Sequence, residues 1–239
     1  MGTYVLIHGA WHGAWCWDKV VPLLKKQGHK VGAPDLPGHG KDKTPIREVT
    51  LQGYANSVCK VLDAQSEPVI LLGHSMGGIV ISQAAEYRPK KIKTLVYLTA
   101  FLLQKGEFLL QVAQGDTEAL VLPNLIMAKD QSYATIRAEA VKEVFYGDCP
   151  DQDVVRAKSL LCPQAAAPFA TPISITEENF GRIPRVYIEC LRDKAISPSV
   201  QKKMYIALPC QKVISMDTSH SPFPSAPGTL VDHLISLAS

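Results

Sequence analysis

The apolar run Val69-Ile70-Leu71-Leu72 passes without interruption into Gly73-His74-Ser75-Met76-Gly77-Gly78 and on into Ile79-Val80-Ile81-Ser82-Gln83-Ala84-Ala85. No other stretch restricts the fold as much. The run reads as a buried strand, and the continuation reads as a helix with Ile79, Ile81, Ala84 and Ala85 at its apolar positions. Between them lies G-x-S-x-G, with a serine at the apex of a sharp strand-to-helix turn. Such a turn leaves no room for side chains beside the serine, so Gly73 and Gly77 allow strand and helix to approach closely. The helix that begins there directs N–H groups and a positive dipole end at any negative charge formed beside Ser75. A chance match to five residues would not bring a strand before it and a helix behind it, so Ser75 is the candidate nucleophile.

The same alternation runs through most of the chain. Tyr4 to His8 reads as a buried strand, followed by a helix over Asp18 to Gln27 that Gly28 stops. Lys30 to Pro34 is a second strand, and Leu51 to Ala64 a helix with Leu51, Tyr54, Ala55, Val58 and Leu62 on one face. Further strands fall at Ile92 to Leu98, Arg185 to Leu191 and Gln211 to Met216, with helices at Pro198 to Ala207 and around Leu230 to Ile235. This order predicts an α/β fold with a doubly wound, mostly parallel sheet. From about residue 100 to 181 the alternation stops: prolines and short helical pieces replace it, with no clean strand. That length exceeds an ordinary loop and predicts a helical cap inserted into a single domain spanning residues 1–239.

Charge and cysteine content narrow the partners. The net charge is +3, and the Lys25-Lys26, Lys90-Lys91 and Lys202-Lys203 pairs are scattered without interleaved aromatics, so no nucleic-acid surface is expected. No run of about 18 apolar residues is present, so no membrane span is expected. Met1 leads directly into the first strand with no basic or apolar leader, and six widely spaced cysteines form no C-x-x-C pair. These features favour free thiols in the cytoplasm over zinc or a disulfide framework. The composition is compatible with a monomer or a dimer.

A serine hydroxyl needs a base, and the base needs an orienting acid, which this topology delivers in the order serine, acid, histidine. Only His220 and His233 follow Ser75. His233 falls within the last helical pattern, whereas His220 sits in Asp217-Thr-Ser-His220-Ser-Pro, just past the last strand. Asp193 closely follows the Arg185 strand; Asp217, three residues before His220 on one loop, would struggle to reach the far side of the imidazole. For the oxyanion, Met76 supplies one backbone N–H and Ala10, in the glycine-rich His8-Gly9-Ala10 loop, the second. Trp11, Trp15 and Trp17 read chiefly as packing, with Trp11 placed to line a pocket mouth. Phe101, Met127 and Phe145 in the cap segment are further pocket candidates, because apolar residues there would face Ser75.

Five segments carry a family resemblance: V-L-I-H-G-A-W-H-G-A-W, P-L-L-K-K-Q-G-H-K-V, G-H-S-M-G-G, T-E-E-N-F-G-R-I-P-R-V-Y-I-E-C and S-H-S-P. In these the chain resembles α/β-hydrolases of the plant methylesterase and hydroxynitrile lyase type, and similar bacterial esterases, some of which hydrolyse pyrethroids. The resemblance implies a triad of Ser75, Asp193 and His220 with Ala10 and Met76 as the oxyanion hole. It departs from the lyase branch, which carries a threonine at the position of Gly9 and a lysine at that of Ser221. The expectation is a serine carboxylesterase acting on small hydrophobic esters, aryl, methyl or pyrethroid-like, with no metal or organic cofactor. A lyase on the same triad and a non-catalytic small-molecule receptor of the same fold are the alternatives.

Overall fold

The computed structural model describes residues 2–238. In chain order its regular elements are β1 (Thr3–Ile7), α1 (Val20–Lys26), β2 (Lys30–Gly32), α2 (Leu51–Asp63), β3 (Val69–His74), α3 (Gly77–Tyr87) and β4 (Ile92–Leu98). Then come α4 (Leu109–Gln114), β5 (Leu125–Met127), β6 (Tyr133–Ile136), α5 (Val141–Phe145), α6 (Asp151–Leu160), β7 (Gln164–Ala165) and α7 (Ala167–Ala170). The chain closes with β8 (Arg185–Cys190), α8 (Pro198–Ala207), β9 (Lys212–Met216), α9 (Pro222–Ser225) and α10 (Pro227–Ser236).

Six strands form one sheet in the order β2-β1-β3-β4-β8-β9, every neighbouring pair parallel. Parallel connections place helices on both faces, so the central strands are covered on each side and read as unbroken apolar runs. All six residues of β3 are buried, and Leu71 and Leu72 are 0% exposed. Truncating either to alanine costs about 2–5 kcal/mol by the usual cavity arithmetic. The register sets Ile7 beside Gly73 and Gly73 beside Tyr97, which aligns the C-terminal ends of β1, β3 and β4. Ligands bind at that end of such sheets. Helix α3 is buried from Gly77 to Ala85, as its apolar residues on every side require. The Thr50 hydroxyl caps α2 by accepting from Gly53 N at 3.0 Å.

Residues between β4 and β8 hold the four helices α4 to α7, but also a second sheet, β5-β6-β7, antiparallel throughout. The sequence expectation of a segment without strands is therefore wrong. These strands are two to four residues long, too short to show an alternation of apolar and polar positions. Among the described residues all six cysteines are free, and no helix is long and apolar enough to cross a membrane.

Candidate active site

Ser75 takes φ +55, the left-handed conformation that side-chain-bearing residues avoid, at a cost on the order of 1–3 kcal/mol. Surrounding contacts hold it there. Its N–H donates to Leu98 O at 3.3 Å, and its carbonyl accepts from Gly78 N at 3.0 Å and Phe101 N at 3.1 Å. A Cβ on Gly73 would lie 2.5 Å from Gly77 O, and one on Gly77 would lie 2.9 Å from Ile7 O. Only glycines allow β1, β3 and α3 to converge on the serine.

Asp193 lies three residues beyond the end of β8, and His220 four beyond the end of β9. His220 Nδ1 is 2.6 Å from Asp193 Oδ2, and both side chains are essentially excluded from solvent. The other carboxylate oxygen accepts the N–H groups of Ala195 at 2.6 Å and Ile196 at 3.0 Å. The Thr99 hydroxyl donates to Oδ2, and Gln201 Nε2 reaches it at 3.5 Å. A carboxylate is an acceptor only, so Nδ1 of His220 carries the proton and Nε2 keeps its lone pair.

Charged residues around this pair find other partners. Arg192 pairs with Asp217 at 2.9 Å, and Lys194 with Glu143 at 2.9 Å. The Asp217 side chain is 78% exposed and faces Arg192, so it does not compete for the imidazole. His233 lies on α10. The His220 loop is pinned from the segment before β8: Asp148 accepts from the Ser219 N–H at 3.1 Å and from its hydroxyl. His74 Nε2 donates to His220 O at 2.9 Å, with the two rings 4.6 Å apart. Burial holds His74 well below the usual histidine pKa, so it stays neutral.

The loop after β1 faces the serine from the other side. His12 Nδ1 donates to Ala10 O at 2.7 Å, while its Nε2 accepts from the Tyr146 hydroxyl at 2.6 Å. Burial lowers His12 to about 4, which keeps the ring neutral in this role. Trp11 adopts φ +62, and its indole N–H donates to Ala134 O of β6 at 3.0 Å. Among the described residues no acceptor takes the N–H of Ala10 or of Met76. Both residues share a cavity with Ser75.

That cavity is walled almost wholly by apolar side chains, and no charged residue lines it. Trp11, Phe101, Met127 and Phe145 all lie on its wall, joined by Leu109 of α4 and Phe169 of α7. Met127 is nonetheless 45% exposed, which puts it at the rim. Thr99, Gln201, Asp148, His12 and His74 carry much of the site's hydrogen bonding, yet nothing in the sequence assigns them that role. Thr99, Gln201 and Asp148 are isolated polar residues with no periodicity or motif to mark them. His74 and His12 stand inside the serine motif and the glycine-rich loop, where the pattern names no hydrogen-bond partner for them.

A serine turn after the third strand, with carboxylate and imidazole carried by the two strands that close the sheet, defines the α/β-hydrolase class. Comparison with known proteins agrees: the alpha/beta hydrolase family matches residues 4–233. A pyrethroid hydrolase of Sphingobium wenxiniae is 37% identical, the match covering 98% of this chain and 86% of that protein. Methylesterase 9 of Arabidopsis thaliana is 32% identical over 100% of this chain and 98% of its own. The crystal structure of a pyrethroid hydrolase from Sphingobium faniae superposes with a TM-score of 0.88 at 33% identity, covering 99% of this chain and 97% of that one. The chain belongs to the alpha/beta hydrolase family.

Proposed function

We propose that this protein is a serine carboxylic-ester hydrolase that works through an acyl-enzyme. The observation that carries the reading is the buried Asp193–His220 pair, set beside an apolar cavity that Ser75, Ala10 and Met76 share. His220 Nε2 takes the Ser75 hydroxyl proton as Oγ attacks the ester carbonyl carbon. The oxyanion is stabilised by the Ala10 and Met76 N–H groups, which are free of other partners among the described residues. Collapse of the tetrahedral species passes the His220 proton to the leaving alcohol. Water, deprotonated by His220 Nε2, then attacks the acyl carbon. The second tetrahedral species breaks its bond to Ser75 Oγ, to which His220 returns the proton, releasing the acid and the free serine. No step calls for a metal or an organic cofactor.

The relatives' names, pyrethroid hydrolase and methylesterase, support ester hydrolysis. The apolar wall favours hydrophobic esters, with aryl, methyl and pyrethroid-like ones as the candidates. In this reading residues 1–239 are one domain, and residues 100–181 are the cap that completes the cavity. Free thiols at all six cysteines fit a reducing cytoplasm. The test is turnover of p-nitrophenyl acetate by the parent and by Ser75→Ala. A loss of several orders of magnitude is expected, the residue of rate coming from binding and the oxyanion hole. Equal activity in the variant would rule the mechanism out.

A further inference from the structure

Thr99 stands directly after β4 with φ +37, a conformation that a β-branched residue rarely adopts. It is fully buried, and its N–H donates to Ile188 O of β8 at 2.8 Å. Its hydroxyl donates to Asp193 Oδ2, the oxygen that also receives His220 Nδ1. The next residue, Ala100, is held at both ends by one hydroxyl: Tyr187 accepts its N–H at 3.1 Å and donates to its carbonyl at 2.8 Å. Phe101 then donates to Ser75 O, and Leu98 O accepts from Ser75 N. Leu98 to Phe101 thus bind the backbone of the serine at both ends and the carboxylate in the middle. Strain of this kind persists where neighbouring contacts over-determine a residue, and it concentrates at working sites.

We propose that Thr99 is a positioning residue for ester hydrolysis. Its hydroxyl fixes the Asp193 carboxylate on His220 Nδ1, and its turned backbone holds acid and nucleophile in register. This rests on the roles assigned above to Ser75, Asp193 and His220. Thr99 acts through Asp193 and does not touch the reacting atoms.

The test compares Thr99→Val, which removes the hydroxyl and keeps the shape, with Thr99→Ser, which keeps the hydroxyl. A hydrogen bond to a charged group predicts a fall in kcat on p-nitrophenyl acetate of roughly 10- to 100-fold for the valine variant, with KM within about twofold of the parent. Serine should restore most of it. The acid limb of kcat/KM should move to higher pH in Thr99→Val, because a carboxylate that has lost a donor is a stronger base toward His220. The titratable and charged groups around His220 are Asp193, His74 and His12, with Asp148 on the neighbouring Ser219, Arg192 paired to Asp148, and Cys149 on Ser221 O. Burial holds both histidines neutral, and of these groups Asp193 is the one that the Thr99 hydroxyl contacts, so a movement on Thr99→Val reports Asp193. Thr99→Ala carries the same expectation and serves if the valine variant does not fold. Parental kcat with an unmoved limb, or a loss that serine does not restore, overturns the proposal. Asp193→Asn separates the two levels: full turnover there removes the triad reading and Thr99 with it. A large loss there beside a silent Thr99→Val removes only Thr99.

Discussion

His220 Nδ1 lies 2.6 Å from Asp193 Oδ2, with the imidazole 1% and the carboxylate 0% exposed. Because the carboxylate can only accept, this contact selects the tautomer whose Nε2 is free to take a proton. An amide in place of the carboxylate could donate to Nδ1 and leave the proton on Nε2. Asp193→Asn is therefore expected to lower kcat on the order of 10⁴-fold. Asp217→Asn should change kcat little, since Asp217 faces solvent and Arg192. Steady-state kinetics of the two variants decide it, and a reversed order would move the acid to Asp217.

Much of this site is legible before any coordinates. Val69 to Leu72 are apolar because β3 is covered on both faces, and that same burial makes the Gly73-to-Gly77 turn stand out. Asp193 and His220 are found by position, just past predicted strands. Thr99 has no such mark: a threonine after a strand is ordinary, and its φ of +37 and its hydroxyl on Asp193 appear only in the fold. Strands β5 to β7 are invisible for their shortness, and His12 because a histidine in a glycine-rich loop says nothing of its partners.

Buried neutral histidines should make the fold acid-labile. His12 is lowered to about 4, and burial also holds His8 and His74 well below the ordinary value. Below the unfolded value of about 6.5, the unfolded chain takes up protons that the folded chain refuses. Stability is thus full above that pH and falls as the pH drops toward about 4, by on the order of a few kcal/mol from His12 alone. Urea midpoints at pH 7.5, 6 and 5 should decline in that order, above the range where most carboxylates titrate. A flat series contradicts the neutral, buried assignment.

Cyanohydrin cleavage should be negligible. A Cβ at Gly9 would lie 2.8 Å from Ser75 Cβ and 3.0 Å from His74 Nδ1, so this backbone has no space for the lyase threonine. Gly9→Thr is expected to lower ester turnover without creating lyase activity. Saturable mandelonitrile consumption by the parent, lost in Ser75→Ala, would overturn this.

Substrate size should be felt at the rim. Met127 is half exposed yet lies on the cavity wall, so Met127→Asp puts a carboxylate where a long acyl or alcohol group would rest. Losing that partial apolar contact removes roughly 0.8 kcal/mol per substrate methylene it covered, a several-fold rise in KM for bulky aryl esters. An acetate, too short to reach the rim, should keep its KM. Equal effects on both would show that bulky groups leave the cavity elsewhere.

The central claim is that an ester's acyl group passes through Ser75. The most direct measurement is rapid acid quench of the parent with a p-nitrophenyl ester, followed by mass spectrometry of the intact chain and its peptides. The account predicts an adduct of the acyl mass on the peptide containing Ser75, formed alongside a burst of p-nitrophenol and absent in Ser75→Ala. Steady turnover with the acyl group on another residue would contradict it, as would undiminished turnover in Ser75→Ala.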